Sequence, residues 1–279
     1  MPCLPHSRIE RTPMKTTLFS LAAAGALLAH GLVQAAEPMV RYDNFKAAGI
    51  DAERWLELDS ARSVSAGALH LGKTTLGGVA ADIGYAFEAQ TLSFADPLAV
   101  TAIAADVVVD VAGATACAAN PAVGSAKLRI GGGFFNTATP TPGSAVGDVV
   151  AQIVLGRASN SADGAGELRI TGSVLKCLSA DCANQKAIGA PVDLGLLSAG
   201  NKARLSVQLD RGIKAFVFQR DAGSPALVAY TDSDSAEAGL PAKTFSVRNV
   251  APHCASGNRT MAQLISRIDN VSVNKAAAR

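Results

Sequence analysis

The residues able to do chemistry in this chain are few, and most stand at alternate positions of short apolar runs. Asp106, Arg129, Gln152, Arg169 and Gln208 each occupy the polar parity of a run whose other parity is Val, Ile, Leu or Ala. Successive side chains of a strand point to opposite faces, so all five lie opposite the apolar side of their own strands. If those strands are neighbours, the five form a polar row across one sheet. The row suits binding more than reaction. Its two arginines match an anionic ligand, because a guanidinium grips a carboxylate through a two-pronged fork. Taken by itself the row reads first as a plain solvated sheet face, and none of its positions is aromatic, which limits stacking on a sugar.

A catalytic set is harder to find. Asp106 and Asp110 share a face, but four residues of strand separate them by roughly 13 Å. Glycoside hydrolysis uses carboxyl groups about 5–10 Å apart. Asp106 with a carboxylate on a neighbouring strand stays open. Beyond residue 35 the only histidines are His70 and His253. His70 lies between two leucines and reads as a packed or surface residue. There is no G-x-S-x-G, no phosphate loop and no dinucleotide fingerprint. Asp232, Asp234 and Glu237 form an acidic loop that offers oxygen ligands for Ca²⁺. Their spacing matches no fixed calcium motif, so a solvated loop is the preferred reading, and no other cofactor is expected.

The chain begins as an exported protein would. Lys15 precedes the apolar run Leu18 to Leu28, and Val33-Gln34-Ala35 suits signal peptidase. Residues 1–35 therefore read as an N-terminal segment with a signal peptide, and residues 36–279 as one domain. Met14 is a second candidate start. Removing Arg8, Arg11 and Lys15 from 25 basic residues and Glu10 from 23 acidic ones leaves equal numbers. With no basic run, nucleic acid is a poor partner. No second long apolar segment exists, so no membrane span is expected in the mature chain.

Four cysteines remain, Cys117, Cys177, Cys182 and Cys254, and an even count in an exported chain suggests disulfides. Cys177 and Cys182 flank the turn-like Leu178-Ser179-Ala180-Asp181 and are placed to staple a hairpin. Cys117 and Cys254 would then clamp two distant loops. Zinc is the weaker alternative, since only His253 lies near a cysteine in sequence.

The elements that must position these groups are strands. Leu98 to Val111 alternates most strongly and is rich in β-branched residues. Lys127 to Ile130, Val149 to Leu155 and Glu167 to Val174 follow with loops between. Leu205 to Leu209, Asp210-Arg211-Gly212 and Lys214 to Phe218 make the best hairpin signal. Ile50 to Trp55 reads as a short helix with Asp51 as its N-cap, and Trp55, the only tryptophan, as a core anchor. In the last run Leu264 and Ile268 share one parity, Val271 and Val273 the other. A β-bulge at Asp269-Asn270 would put all four on one face. At least eight short strands and hardly any helix predict an all-β, two-sheet antiparallel β-sandwich of jelly-roll type. A closed barrel is the alternative.

Four stretches carry a family resemblance: Asp43-Asn44-Phe45 followed by Trp55, Val100 to Val107, the Leu205 to Phe218 hairpin, and Ile268-Asp269-Asn270-Val271-Ser272-Val273. Together they resemble the concanavalin A-like lectin/glucanase superfamily in its laminin-G-like jelly-roll form. The resemblance implies the fold more than a function, since this fold hosts lectins, hydrolases, lyases and inert modules. The Glu-x-Asp-x-x-Glu run of its glucanases is absent here. Gln152-Ile153 is similar to the Gln-Ile-His motif of its alginate lyases, but Val154 stands in place of the histidine. Laminin-G-like relatives often hold calcium at a loop. The expectation is thus an exported, non-catalytic domain binding a glycan, anionic in character, or another envelope component. The alternatives are a polysaccharide lyase or hydrolase with an unrecognised site, and a structural or protein-interaction module.

Overall fold

The computed structural model describes residues 37–47, 49–56 and 63–278. The leader and the expected cleavage after Ala35 lie outside them. The chain folds into two antiparallel sheets packed face to face, as the alternation predicts. With strands numbered along the chain, the first sheet holds β1 (Met39–Asp43), β2 (Ser63–Ser65), β3 (Ala68–Leu76), β5 (Ala102–Ala114), β11 (Lys202–Asp210), β12 (Ala215–Arg220), β13 (Ala226–Ala229) and β15 (Met261–Asn274). The second holds β4 (Tyr85–Ser93), β6 (Ser125–Asn136), β7 (Asp148–Ala158), β8 (Glu167–Cys177), β9 (Gln185–Ala187), β10 (Val192–Ser198) and β14 (Lys243–Pro252). The second sheet runs β10-β8-β7-β6-β14-β4, with β9 beside β8. Consecutive strands repeatedly cross from one sheet to the other, which is the jelly-roll wiring. Among the described residues no helix is long and apolar enough to cross a membrane.

Inward parity builds the core. Ile103, Ala105, Val107 and Val109 of β5 face Leu128, Ile130, Ile153 and Ile170 of the second sheet, all buried. Burying side chains of this size contributes roughly 1.5–3 kcal/mol each. Trp55 is fully buried, and its Nε1–H donates to Asp43 Oδ2 at 2.8 Å. Phe45 stacks on Trp55 with ring centroids 5.7 Å apart. The segment before Trp55 is a correction: it makes one turn, with Trp55 N–H bonded to Asp51 O at 2.9 Å, and then joins Phe94 in a bridge instead of continuing as a helix. The pull of the aromatic core on Trp55 outweighs a weak local helix preference.

β15 pairs with β5, β3 and β1. Its register against β5 shifts between Asp269 and Ser272, and Asn270 takes a φ of +49°. That is the expected bulge. Leu264, Ile268, Val271 and Val273 all end up buried on one face. A second shift, between Ile265 and Ser266, was not foreseen in the alternation.

Both disulfides form as the spacing suggested, Cys177 with Cys182 and Cys117 with Cys254, at Cα separations of 4.8 and 5.6 Å. The first closes the loop between β8 and β9. The second ties the loop after β5 to the loop before β15.

Candidate binding face

The outward side of the second sheet carries the site. Strand register places its side chains in rows across the strands. One row reads Ala89, Arg248, Lys127, Gly156, Arg169. The next reads Thr91, Ser246, Arg129, Val154, Thr171, and the one after brings Gln152 beside Gly131 and Ser173. Arg129, Gln152 and Arg169 therefore share one face, as expected from their parity. Asp106 and Gln208 do not join them, which corrects the single row. They lie on β5 and β11 of the other sheet. Alternation separates inside from outside, but it carries no information on which of two sheets a strand enters.

Two adjoining hollows lie along this face, of about 500 and 210 Å³, and both are lined by Arg129 and Gln152. The larger reaches toward the β7–β8 loop at Ser161 and Asp163. The smaller reaches toward Asp148 and the Cys177–Cys182 loop. From Gly156 to Asp148 is eight residues of β7, about 27 Å of strand.

Charge is distributed unevenly between the two outward faces. On the first sheet, cations meet carboxylates: Arg204 donates to Asp106 at 3.0 Å, Lys202 lies 3.6 Å from Asp106, and Arg267 grips Asp110 at 2.7 and 2.9 Å. Burial would raise the Asp106 carboxyl, but hydrogen bonds from Arg204 and Asn270 outweigh it and hold it below the usual range. On the second sheet Lys127, Arg129 and Arg248 are half-buried and have no carboxylate partner among the described residues. Arg129 Nε is buried with no hydrogen-bond acceptor. Burial, with the nearby Arg248 charge, pushes Arg129 down to about 10. Burial also lowers Lys127, helped by the Arg129 charge, and lowers Arg248. Three cations short of both water and counter-ion are costly to the fold, and such groups concentrate at functional sites.

The remaining basic groups nearby are occupied. Arg169 divides its guanidinium between Asp163 and Asp193, so it forms the rim of the groove and is not a free contact. Arg157 donates to the carbonyls of Asp163, Gly164 and Glu167 and fastens the β7–β8 loop. Gln152 donates to Ser173 Oγ at 3.3 Å. Gly156 keeps the row open, since a Cβ there would run into the Lys127 side chain and the Ala126 carbonyl.

The acids of the groove are committed as well. Asp148 is buried and accepts from the Gly239 and Leu240 N–H groups at 2.7 and 2.8 Å and from Asn136. The Arg169 hydrogen bond holds the Asp163 carboxyl low, and the Ser179 hydroxyl does the same for Asp181. Both histidines sit elsewhere: His70 Nε2 is 3.0 Å from Ser65 Oγ, and His253 Nδ1 accepts from Gly78 N–H at 2.7 Å. In the acidic loop Asp232 lies 3.5 Å from Lys176, and Asp234 accepts from the Tyr230 hydroxyl at 2.6 Å.

Lys127 and Arg248 were missed in the sequence. Each occupies the polar parity of its strand, the same signal that marked Arg129. Only the pairing of β6 with β14, distant in sequence, shows that they meet.

No family model and no curated protein matches the chain. Solved structures of similar shape exist. The LamAcat structure from Zobellia galactanivorans aligns at 12% identity over 83% of this chain and 97% of its own, with a TM-score of 0.39. Lectin II from Ulex europaeus aligns at 11% identity, covering 84% and 97%, with a TM-score of 0.34. A lectin from Bauhinia forficata in complex with GalNAc aligns at 13% identity, covering 86% and 100%, with a TM-score of 0.33.

Proposed function

We propose that this protein is an exported, non-catalytic binding module whose second-sheet face takes an acidic polysaccharide. The observation that carries the reading is the group of half-buried cations, Lys127, Arg129 and Arg248, which have no counter-ion among the described residues and lie on a long open groove. An acidic polymer lying there would supply the missing anions. Gln152 and Ser173 would meet its hydroxyl groups. The reading of the site as binding and not cleaving rests on its acids. Donors of the fold hold the Asp163 and Asp181 carboxyls low, and the oxygens of Asp148 are taken up by Asn136 and the Gly239 and Leu240 N–H groups, so none is placed to protonate a leaving group. The two disulfides fit an oxidising compartment, in line with the leader expected from the sequence.

Calorimetry against polygalacturonate and a neutral glucan tests the reading. The acidic polymer should bind and the neutral one should not. A charge-assisted hydrogen bond contributes roughly 1.5–3 kcal/mol, so Arg129→Ala should weaken binding about tenfold or more. The same panel should yield neither new reducing ends nor unsaturated products. Turnover of any polymer overturns the non-catalytic part, and unchanged affinity in Arg129→Ala overturns the face.

A further inference from the structure

Beside β14, whose Arg248 lines the groove, an edge strand exposes two aromatic side chains on the same outward face. β4 is the last strand of the second sheet. Its Glu88 and Gln90 turn toward the other sheet, where they meet Thr75 Oγ1 and Gly72 N–H. Tyr85 and Phe87, of the opposite parity, therefore face outward and are 56% and 50% exposed. The Arg248 guanidinium carbon lies 5.5 Å from the centre of the Phe87 ring. Register sets Phe87 in the row next to Arg248 and one strand beyond it. Phe87 thus adjoins the cation cluster through Arg248, and Tyr85 lies two residues further along β4 on the same face.

We infer that Phe87 and Tyr85 form a ring-stacking shelf beside the cation cluster, so that the ligand is recognised by a sugar ring and by the acidic group on its edge. This rests on the reading of the cationic face given above. A pyranose has an apolar C–H face and carries its acid at the rim. Laid on Phe87 and Tyr85, it would direct that acid toward Arg248, one ring width away. The cation–π contact with Arg248 fixes the Phe87 ring before any ligand arrives, which reduces the ordering cost of binding. Aromatic rings exposed beside unpaired guanidinium groups are what a charged sugar needs and what a simple polyanion does not use.

The test separates ring from charge. Wild type, a Tyr85→Ala/Phe87→Ala double variant and Arg129→Ala are titrated with polygalacturonate, with polyacrylate (a carboxylate polymer without rings) and with a neutral glucan, at one ionic strength. Both aromatic side chains are exposed, so the double variant should keep the wild-type melting temperature. It should lose about tenfold in affinity for polygalacturonate, which then has no ring surface to lie on, and change less than twofold for polyacrylate. Equal losses on both acidic polymers, or no loss on polygalacturonate, overturn the shelf. A wild type that binds neither acidic polymer overturns the cationic face and the shelf with it. A neutral glucan bound by the wild type and by Arg129→Ala, but lost in the double variant, overturns the cationic face alone and leaves the shelf standing.

Discussion

Arg129 is a side chain the fold would be better without. Its Nε is buried without an acceptor among the described residues, and Arg248 repels it from the neighbouring strand. Replacing it with a flat-lying apolar residue removes that cost, so Arg129→Met should raise stability by about 1 kcal/mol while weakening polyanion binding about tenfold. Thermal melts beside the binding assay check both halves; a variant that is destabilised would refute the account of Arg129 as a group kept for its ligand. Lys243 is a different case. It is buried, donates to the carbonyls of Pro97 and Gly133 at 2.6 and 2.7 Å, and lies 4.8 Å from the Phe134 ring centre. Burial, with the Arg211 charge, lowers it from 10.5 to about 7. The unfolded chain then holds a proton on this lysine that the folded chain releases between those values. Stability should therefore rise as pH climbs from about 7 to 9. Lys243→Met should flatten that rise in denaturant titrations at pH 6.5, 7.5 and 9, and a variant with the wild-type slope would overturn it.

At the scale of elements, β6 holds the groove together. Gly131 and Gly132 take φ values of +138° and +158°. A Cβ on Gly131 would strike the Ala151 carbonyl of β7, and one on Gly132 the Ala242 carbonyl just before β14. Only glycine lets three strands meet there beneath Arg129 and Gln152. Gly131→Ala should cost about 2–3 kcal/mol of stability, measured by urea unfolding; a change under half that would show that the strands can part. Much of this level was legible in the sequence. Asp269-Asn270 announced the bulge in β15 by interrupting the parity of four apolar residues, and Arg129 and Gln152 were marked by theirs. Other features needed the fold. Nothing local says that Asp106 and Gln208 enter the opposite sheet, because the two sheets use the same alternation. Lys127 meets Arg248 only through strands over a hundred residues apart. Tyr85 and Phe87 sit beside a Gly- and Ala-rich stretch whose strand signal is weak, so their outward aim depends on the partner strand β14.

For the whole molecule, the two disulfides differ in reach. Cys117–Cys254 spans 137 residues and Cys177–Cys182 only 5. In the chain-entropy account they contribute about 5 and about 2 kcal/mol. Cys117→Ala/Cys254→Ala should lower the melting temperature well below that of Cys177→Ala/Cys182→Ala, and the reverse order would refute the assignment of the long bridge as the main brace. The unequal charge of the two faces reaches further still. From residue 36 onward the chain carries as many acids as bases, yet Arg204 and Arg267 on one face grip carboxylates, while Lys127, Arg129 and Arg248 on the other meet none among the described residues. The sandwich is therefore an electric dipole with its positive pole on the groove. It should adhere to a cation-exchange resin at the pH where it does not migrate in an electric field. In dilute salt a polyanion would also turn it groove-first before the two touch, an alignment that fades as the screening length shrinks below the width of the face.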